Sequence, residues 1–512
     1  MAAARITDNL PRAKIPEHLL PPFNRMKAIF TTSLCRSFLG LSLAACALTN
    51  LSALDFLPSS EIYSGVHWFD TEGNPINCSG IGLLQVGSTY YMVGEKRSNK
   101  GFGIEGDFET NFIGISLYSS VDLINWKHLP DPLMPQDQTE ISKQCIVERP
   151  KLLYNKANKE FILYLHTWSG SGNVCLATSP QVEGPYSYHG VLKFDNGKPV
   201  MGGDLGVFQD SDDTAYLLET EGNIYQLASD YKTALRGDLP RPITIGSTES
   251  PSLFKLGETY YYLCSQMAWW HNGDNLYATA SSIKGPWIAR GIICPPRSKT
   301  WNSQITYIQA VVGTRATTCI YMGDRWVDGN WLSGVDVWQP LLVNGTNLSM
   351  PEYHPSWKID LASGLWTDVP DRGVSINHTQ EGNGSNQIEY TGTWTTTPEK
   401  RRAGAFYGDY TYSNTTDDLA VLRFTGRRVR FYSVMDHSNG IIGLTLCDAT
   451  GQALLPESTV DLYADASHQG NDLCYVSPLL PSNSYQLKVR VTGLKNHYAE
   501  DDYGVIDHFT VE

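Results

Sequence analysis

The stretch Ala177-Thr-Ser-Pro-Gln-Val-Glu-Gly-Pro-Tyr186 returns, little altered, as Ala278-Thr-Ala-Ser-Ser-Ile-Lys-Gly-Pro-Trp287. Tyr118-Ser-Ser-Val-Asp-Leu-Ile-Asn-Trp126 is a looser third version. Around these runs a second unit repeats, a turn followed by an aromatic-rich strand. It is written as Val86-Gly-Ser-Thr-Tyr-Tyr-Met92, Lys159-Glu-Phe-Ile-Leu-Tyr164, Asp213-Thr-Ala-Tyr-Leu-Leu218 and Gly257-Glu-Thr-Tyr-Tyr-Tyr-Leu263, with a weaker copy at Thr318-Cys-Ile-Tyr-Met322. Alternation with Gly or Asp punctuation makes each copy a β-hairpin arm. Few segments hold a helical period. One such unit cannot bury both its faces, so copies must stack around a central channel. Five copies predict an all-β fold whose main part, residues 54–367, is a five-bladed β-propeller. A large β-sandwich is the competing arrangement, and the repeat is too long for β-helix coils.

The composition shifts near residue 367. Ile359-Asp-Leu-Ala-Ser-Gly-Leu-Trp366 reads as a last strand and exit, and a polar stretch from Asp371 to Asn386 follows. Short alternating strands then run over Leu419 to Phe424, Val429 to Val434, Ile441 to Leu446 and Tyr485 to Val491. Residues 373–512 are therefore expected to form a jelly-roll-like β-sandwich of ordinary domain size.

The first 53 residues read differently. Lys27 and Arg36 precede an apolar run from Ser37 to Leu48, and small residues continue to Ala53. This is the order of a secretory signal, with Met26 as an alternative start, and the run is short for a membrane span. A secreted, extracellular protein is expected, with no membrane partner. The net charge of −14 argues against nucleic acid, which calls for a basic footprint. A monomer is expected.

Eight of the ten cysteines lie beyond the signal. In an oxidising compartment some should pair, and Cys447 and Cys474 are each other's only local candidates. Glycosylation acceptors occur at Asn344, Asn347, Asn377, Asn383 and Asn414, and at Asn77, where modification is not expected. No zinc spacing and no calcium loop is visible; no metal site is assigned and no cofactor is required, although calcium fits domains of this kind.

Innermost strands of successive blades can place carboxylates around one cavity, and glycosidic cleavage needs two groups flanking the bond. Glu95 ends Tyr90-Tyr-Met-Val-Gly-Glu95, and Glu148 opens Glu148-Arg-Pro-Lys-Leu-Leu-Tyr154. Asp204 lies in Gly202-Gly-Asp-Leu-Gly-Val-Phe208, and Glu249 opens Glu249-Ser-Pro-Ser-Leu-Phe-Lys255. The repeated context predicts that they converge, although each alone reads as a surface or turn acid.

At these residues the sequence resembles glycoside hydrolase family 43, in its exo-β-1,3-galactanase branch. Matching stretches include Val147-Glu-Arg-Pro-Lys-Leu-Leu-Tyr-Asn155, Glu249 to Lys255, Asn302-Ser-Gln-Ile-Thr306, Tyr321-Met-Gly-Asp-Arg-Trp326 and Val337-Trp-Gln-Pro-Leu341. The C-terminal part resembles the galactose-binding-like module beside such domains. The resemblance implies Glu249 as general acid and Asp204 as the residue that tunes it. It implies Gln304 for handling the water, with Glu148 beside it as base candidate. Trp270 is the expected stacking platform, and Glu95 is expected on substrate hydroxyls. Tyr118 and Asp324 complete the expected substrate contacts; an ion pair of Asp324 with Arg325 is the alternative.

The usual first-blade aspartate is missing from Ser79-Gly-Ile-Gly82, as in that branch. The branch's His-Gly-Gly-Gly is absent at that same stretch, where Ile81 is expected to put bulk beside the sugar. Gly203-Asp-Leu-Gly206 and Trp270-His-Asn-Gly273 also depart from its pattern. The implied activity is exo-acting, inverting release of galactose from β-1,3-galactan or arabinogalactan, with acid and base about 6.5–9.5 Å apart. Two readings compete: an arabinofuranosidase or xylosidase of the same family, and a secreted carbohydrate-binding protein on a decayed hydrolase scaffold.

Overall fold

Each of the five aromatic arms forms the second strand of its own antiparallel sheet in the computed structural model. The structure describes residues 56–98, 112–168, 171–237, 239–244, 246–268, 272–327, 329–398, 404–465 and 470–512. The expected signal segment lies outside them. The arms are Thr89–Arg97, Glu160–Trp168, Ala215–Glu219, Thr259–Gln266 and Thr317–Arg325, and each is preceded by a first strand: Ser79–Val86, Ile146–Asn155, Leu205–Gln209, Thr248–Leu256 and Gln304–Val312. Four of the sheets have four strands and the third has three. The first four hairpin turns each hold a residue in the left-handed region, at Gly87, Lys159, Asp213 and Gly257. That twist matches the flanking strands and explains the punctuation read from the sequence. The run Ala177–Tyr186 and its copies Ala278–Trp287 and Tyr118–Trp126 link third to fourth strands, in the second, fourth and first sheets.

The first strands lie side by side in chain order, and the fifth returns to the first, so the ring is closed. The fold is nearly all-β and consistent with a β-propeller. Alternation along each strand supplies both neighbours of a sheet. Leu163 and Leu165 pack with Val93 and Ile115 of the first sheet, while Ile162 and Tyr164 pack with Val207 and Leu217 of the third. The same division recurs between the third and fourth sheets, the fourth and fifth and the fifth and first. Burial of each such side chain contributes about 1.5–3 kcal/mol.

The stretch expected as a last strand is instead a hairpin, Ser356–Asp360 with Leu365–Asp368. Gly364, at φ +72°, makes its turn. This hairpin pairs with Ile62–Tyr63, Ile62 opposite Trp357.

Beyond residue 373, two sheets share one core. One has the order Gln387–Thr391, Leu419–Gly426, Asn483–Leu494, Ile441–Asp448, Ser458–Asp461. The other has Val374–Asn377, His508–Val511, Val429–Met435, Gly470–Val476. Leu422, Leu444 and Leu487 of the first meet Phe431, Tyr475 and Phe509 of the second. The expected Cys447–Cys474 bridge is not formed; all eight described cysteines are free and buried. Cys474 faces the shared core, but Leu446 takes the core-facing position of its strand, so Cys447 turns to the other face. Asn344, Asn347, Asn383 and Asn414 are exposed and Asn377 is half-buried. Asn77 is committed, its Nδ2 donating to the Arg97 carbonyl at 2.7 Å. Among the described residues no helix is long and apolar enough to cross a membrane.

Candidate active site

Four of the five first strands bulge at one end. Pairing skips between Ser79 and Gly82, Glu148 and Lys151, Glu249 and Ser252, and Ile305 and Tyr307. Gly80, Arg149 and Ser250 sit inside three of these bulges at φ +60°, +53° and +52°. A bulge re-aims side chains and tolerates the missing N–H of the next residue, which is Pro150 and Pro251 in two cases. Opposite these points stand Glu95 across from Ser79, His166 across from Glu148, and Asp324 across from Gln304. The repeat thus delivers polar side chains to one cavity of about 200 Å³.

The cavity is lined by Glu95, Glu148, Asp204, Glu249, Gln304 and Asp324, six of the expected site residues. Trp270 lies outside the described residues. Tyr118 does not line the cavity. It is buried in the core between the first and fifth sheets, where its hydroxyl accepts the Asn77 N–H at 3.2 Å. Ile81 joins the same core at 0 % exposure, so its bulk never meets the cavity. Gly80 takes the position facing Glu95, and a Cβ there would lie 2.5 Å from Glu95 Oε2. Arg325 is not the partner of Asp324; it donates to the carbonyls of Asn302 at 2.9 Å and Trp301 at 3.1 Å.

The ion partner of Asp324 is Arg149, a residue the sequence reading quoted but did not single out. Buried Arg149 lies 3.6 Å from Asp324 Oδ1 and 3.4 Å from Asp204 Oδ1, and its Nη2 donates to Gln304 Oε1. Gln304 Nε2 donates to Glu249 Oε1 at 2.8 Å. Arginine has only donors, so the amide oxygen must face Arg149 and the amide nitrogen must face Glu249. Burial, then the negative charge of Asp204, pushes Glu249 up to about 8, against Arg149, the Ala268 N–H and Gln304. Burial also opposes ionisation of Asp204, but Arg149, His166, the Ser250 hydroxyl at 2.7 Å and Lys151 hold it below its ordinary range. Glu148 is likewise held low despite burial, by His166 at 3.5 Å and Arg97 at 3.5 Å. Burial leads in raising Glu95, although Arg97 binds its Oε1.

His166, Arg97, Lys151 and Trp331 carried no legible signal in the sequence. The Arg97 guanidinium lies 4.4 Å from the Trp331 ring centre. Lys151 lies beneath the cavity, donating to the carbonyls of Gly80 and Ile81 at 2.9 Å each, and so ties the first and second sheets together. Burial, then the charge of Arg149, lowers it to about 7. Glu148, His166 and Asp204 bring donor atoms within 4.8 Å of one another, a set that could hold a cation. Arg97 and Arg149 already supply positive charge to the two carboxylates.

A carboxyl pushed up beside one held down, in a cavity at the end of a ring of sheets, is an arrangement suited to glycosidic cleavage. Residues 81–302 match the model of glycosyl hydrolases family 43. Among solved structures the chain is similar to the exo-β-1,3-galactanase of Phanerochaete chrysosporium with β-1,3-galactotriose, at 25 % identity and TM-score 0.63 over 89 % of this chain and 100 % of that one. The same enzyme with galactose gives 26 % identity and TM-score 0.60, over 88 % and 100 %. An exo-β-1,3-galactanase from Clostridium thermocellum shares the fold, at 23 % identity and TM-score 0.51 over 81 % and 100 %. A comparison with curated proteins gives no match. The chain therefore carries a domain of glycosyl hydrolases family 43, over residues 81–302, and is a glycoside hydrolase.

Proposed function

We propose that this protein removes galactose from the end of β-1,3-galactan with inversion of configuration. The observation that carries the reading is Glu249 in the cavity, its carboxyl pushed up to about 8 by burial and Asp204 and hydrogen-bonded through Gln304 to Arg149. The galactan specificity is supported by the likeness to exo-β-1,3-galactanases. In this reading the five sheets are the blades of a propeller spanning 54–367, and 373–512 is a β-sandwich that holds the polymer near the site. The chain is secreted and works as a monomer.

Because Glu249 Oε1 accepts from Gln304, the acid proton rides on Oε2. Glu249 gives it to the glycosidic oxygen as the bond to the anomeric carbon breaks. Water attacks that carbon from the opposite face, which inverts it. The water's proton passes to Glu148, which is kept ionised for the task. Gln304 does not take this proton, since Arg149 already donates to its oxygen; it fixes the acid's orientation instead. Asp204 keeps Glu249 protonated, and Glu95 binds sugar hydroxyls alongside Asp324.

The test is galactose release from β-1,3-galactan, with arabinan and xylan alongside. Wild type should release galactose from galactan alone. Glu249→Gln should lower kcat by about 10²–10⁴-fold. Release of arabinose or xylose instead, or no sugar from any polymer, would overturn the reading. Undiminished turnover by Glu148→Gln would remove Glu148 from the scheme.

A further inference from the structure

Just before Gln304 the backbone passes through Lys299, Thr300, Trp301 and Asn302 at φ +47°, +55°, +55° and +54°. This is a full left-handed turn of L-residues, closed by Asn302 N–H to Ser298 O at 3.1 Å and Ser303 N–H to Lys299 O at 3.2 Å. Each residue in it suffers crowding of Cβ against the following carbonyl. Such a turn persists only where its surroundings over-determine it. Arg325 holds the carbonyls of Trp301 and Asn302. The Asn275 N–H donates to Thr300 Oγ1 at 2.8 Å, and Trp301 Nε1 donates to Met350 O at 3.1 Å. One further contact comes from the C-terminal region, just past the strand Ser458–Asp461: Lys299 Nζ lies 2.5 Å from Asp465 Oδ2.

The same C-terminal element reaches the opposite wall. Thr459, in the strand Ser458–Asp461, accepts the Ser333 hydroxyl on its Oγ1 at 2.7 Å, and its carbonyl meets His67 Nε2 at 2.7 Å. Ser333 ends the short turn Trp331–Ser333. Trp331 lies against Arg97, which binds Glu95 and faces Glu148. One strand and the residues just after it therefore touch both the turn leading to Gln304 and the turn backing the Glu95–Glu148 pair.

We propose that the C-terminal β region is part of the active site's framework, with Asp465 and Thr459 as positioning residues for its two walls. This rests on the hydrolytic reading of the cavity. Held from both sides by the strand Ser458–Asp461 and the residues just after it, the acid's orienter and the water's acceptor keep a fixed separation, the geometry on which an inverting reaction depends.

The experiment uses the full chain. Asp465→Asn keeps the shape and removes the charge; Thr459→Val keeps the β-branch and removes the hydroxyl. On β-1,3-galactotriose each should lower kcat by about three- to tenfold with KM within about twofold, since misplacement acts on the transition state. Asp465→Glu should recover most of the loss. Amide exchange gives a readout that needs no turnover: residues 300–304 should exchange faster in Asp465→Asn, and 331–333 in Thr459→Val, each at unchanged melting temperature. Unchanged kcat and unchanged local exchange overturn the proposal, as does a loss that follows the melting temperature alone. Wild type inactive on galactan would sink the hydrolytic reading instead, and exchange alone would then decide whether Asp465 and Thr459 brace these two turns.

Discussion

Glu249 and Glu148 face one cavity and lean in opposite directions. Burial and Asp204 push Glu249 up to about 8. His166 and Arg97 outweigh burial and hold Glu148 below its ordinary value. If Glu249 must be protonated and Glu148 ionised, kcat/KM should fall as pH rises through about 8, and should hold on the acid side until pH drops below the usual carboxylate range. Asp204→Asn removes a negative charge beside Glu249, so the acid's pKa falls and the alkaline limb moves to lower pH. A pH–rate profile of the two proteins checks the sign, and a limb that stays in place would detach Asp204 from Glu249. Arg149→Met should be more damaging than Asp204→Asn, because it strands the buried carboxylate of Asp324 and the half-buried one of Asp204; removing one partner of a buried pair costs about 3–5 kcal/mol, readable in denaturant midpoints.

At the scale of the element, the bulges decide what the sequence could and could not reveal. Turn, strand and turn were legible because alternation and left-handed turn residues act locally. Glu95, Glu148, Asp204 and Glu249 could be placed on the cavity because their context repeats at strand ends, and Gln304 and Asp324 through the family resemblance. Tyr118 could not: its strand's alternation turns it into the core, and only the pairing register reveals that. Arg149 was missed because the extra residue of a bulge reverses the side-chain parity that strand reading assumes. His166 needs the pairing with Glu148 to be known. Ile81 was misplaced for the same reason as Arg149, since Gly80 occupies the bulge and Ile81 falls to the core. Ile81→Ala should therefore destabilise by about 2–5 kcal/mol in chemical denaturation without improving activity. Gly80→Ala should destabilise by about 1–3 kcal/mol and also lower kcat, because its Cβ would displace the Glu95 carboxylate.

Across the whole molecule, the residues leading into the first sheet form the seam with the C-terminal sheets. The Tyr63 hydroxyl accepts Arg428 Nη1 at 2.6 Å and Arg430 Nη2 at 3.1 Å, with both guanidinium groups buried. Tyr63, Val66, Leu473 and Val476 pack together beside them. So joined, the ring and the C-terminal sheets should melt in one calorimetric transition. Tyr63→Phe should keep that single transition at a lower temperature, at a cost of about 1–3 kcal/mol, since two buried guanidinium groups each lose one of their acceptors. Two separate transitions in wild type would contradict this coupling. The clasp of Ile62 on Trp357 bears on how the chain is made. Ile62 leaves the ribosome before any of the five sheets, and Trp357 leaves after all of them. Each sheet can assemble from neighbouring residues as it emerges, but the ring waits for its most distant pairing. Until then the first and fifth sheets present Ile81, Met92, Ile320 and Trp338 to solvent, so the nascent chain's greatest exposure to chaperones and to aggregation comes just before synthesis reaches the clasp.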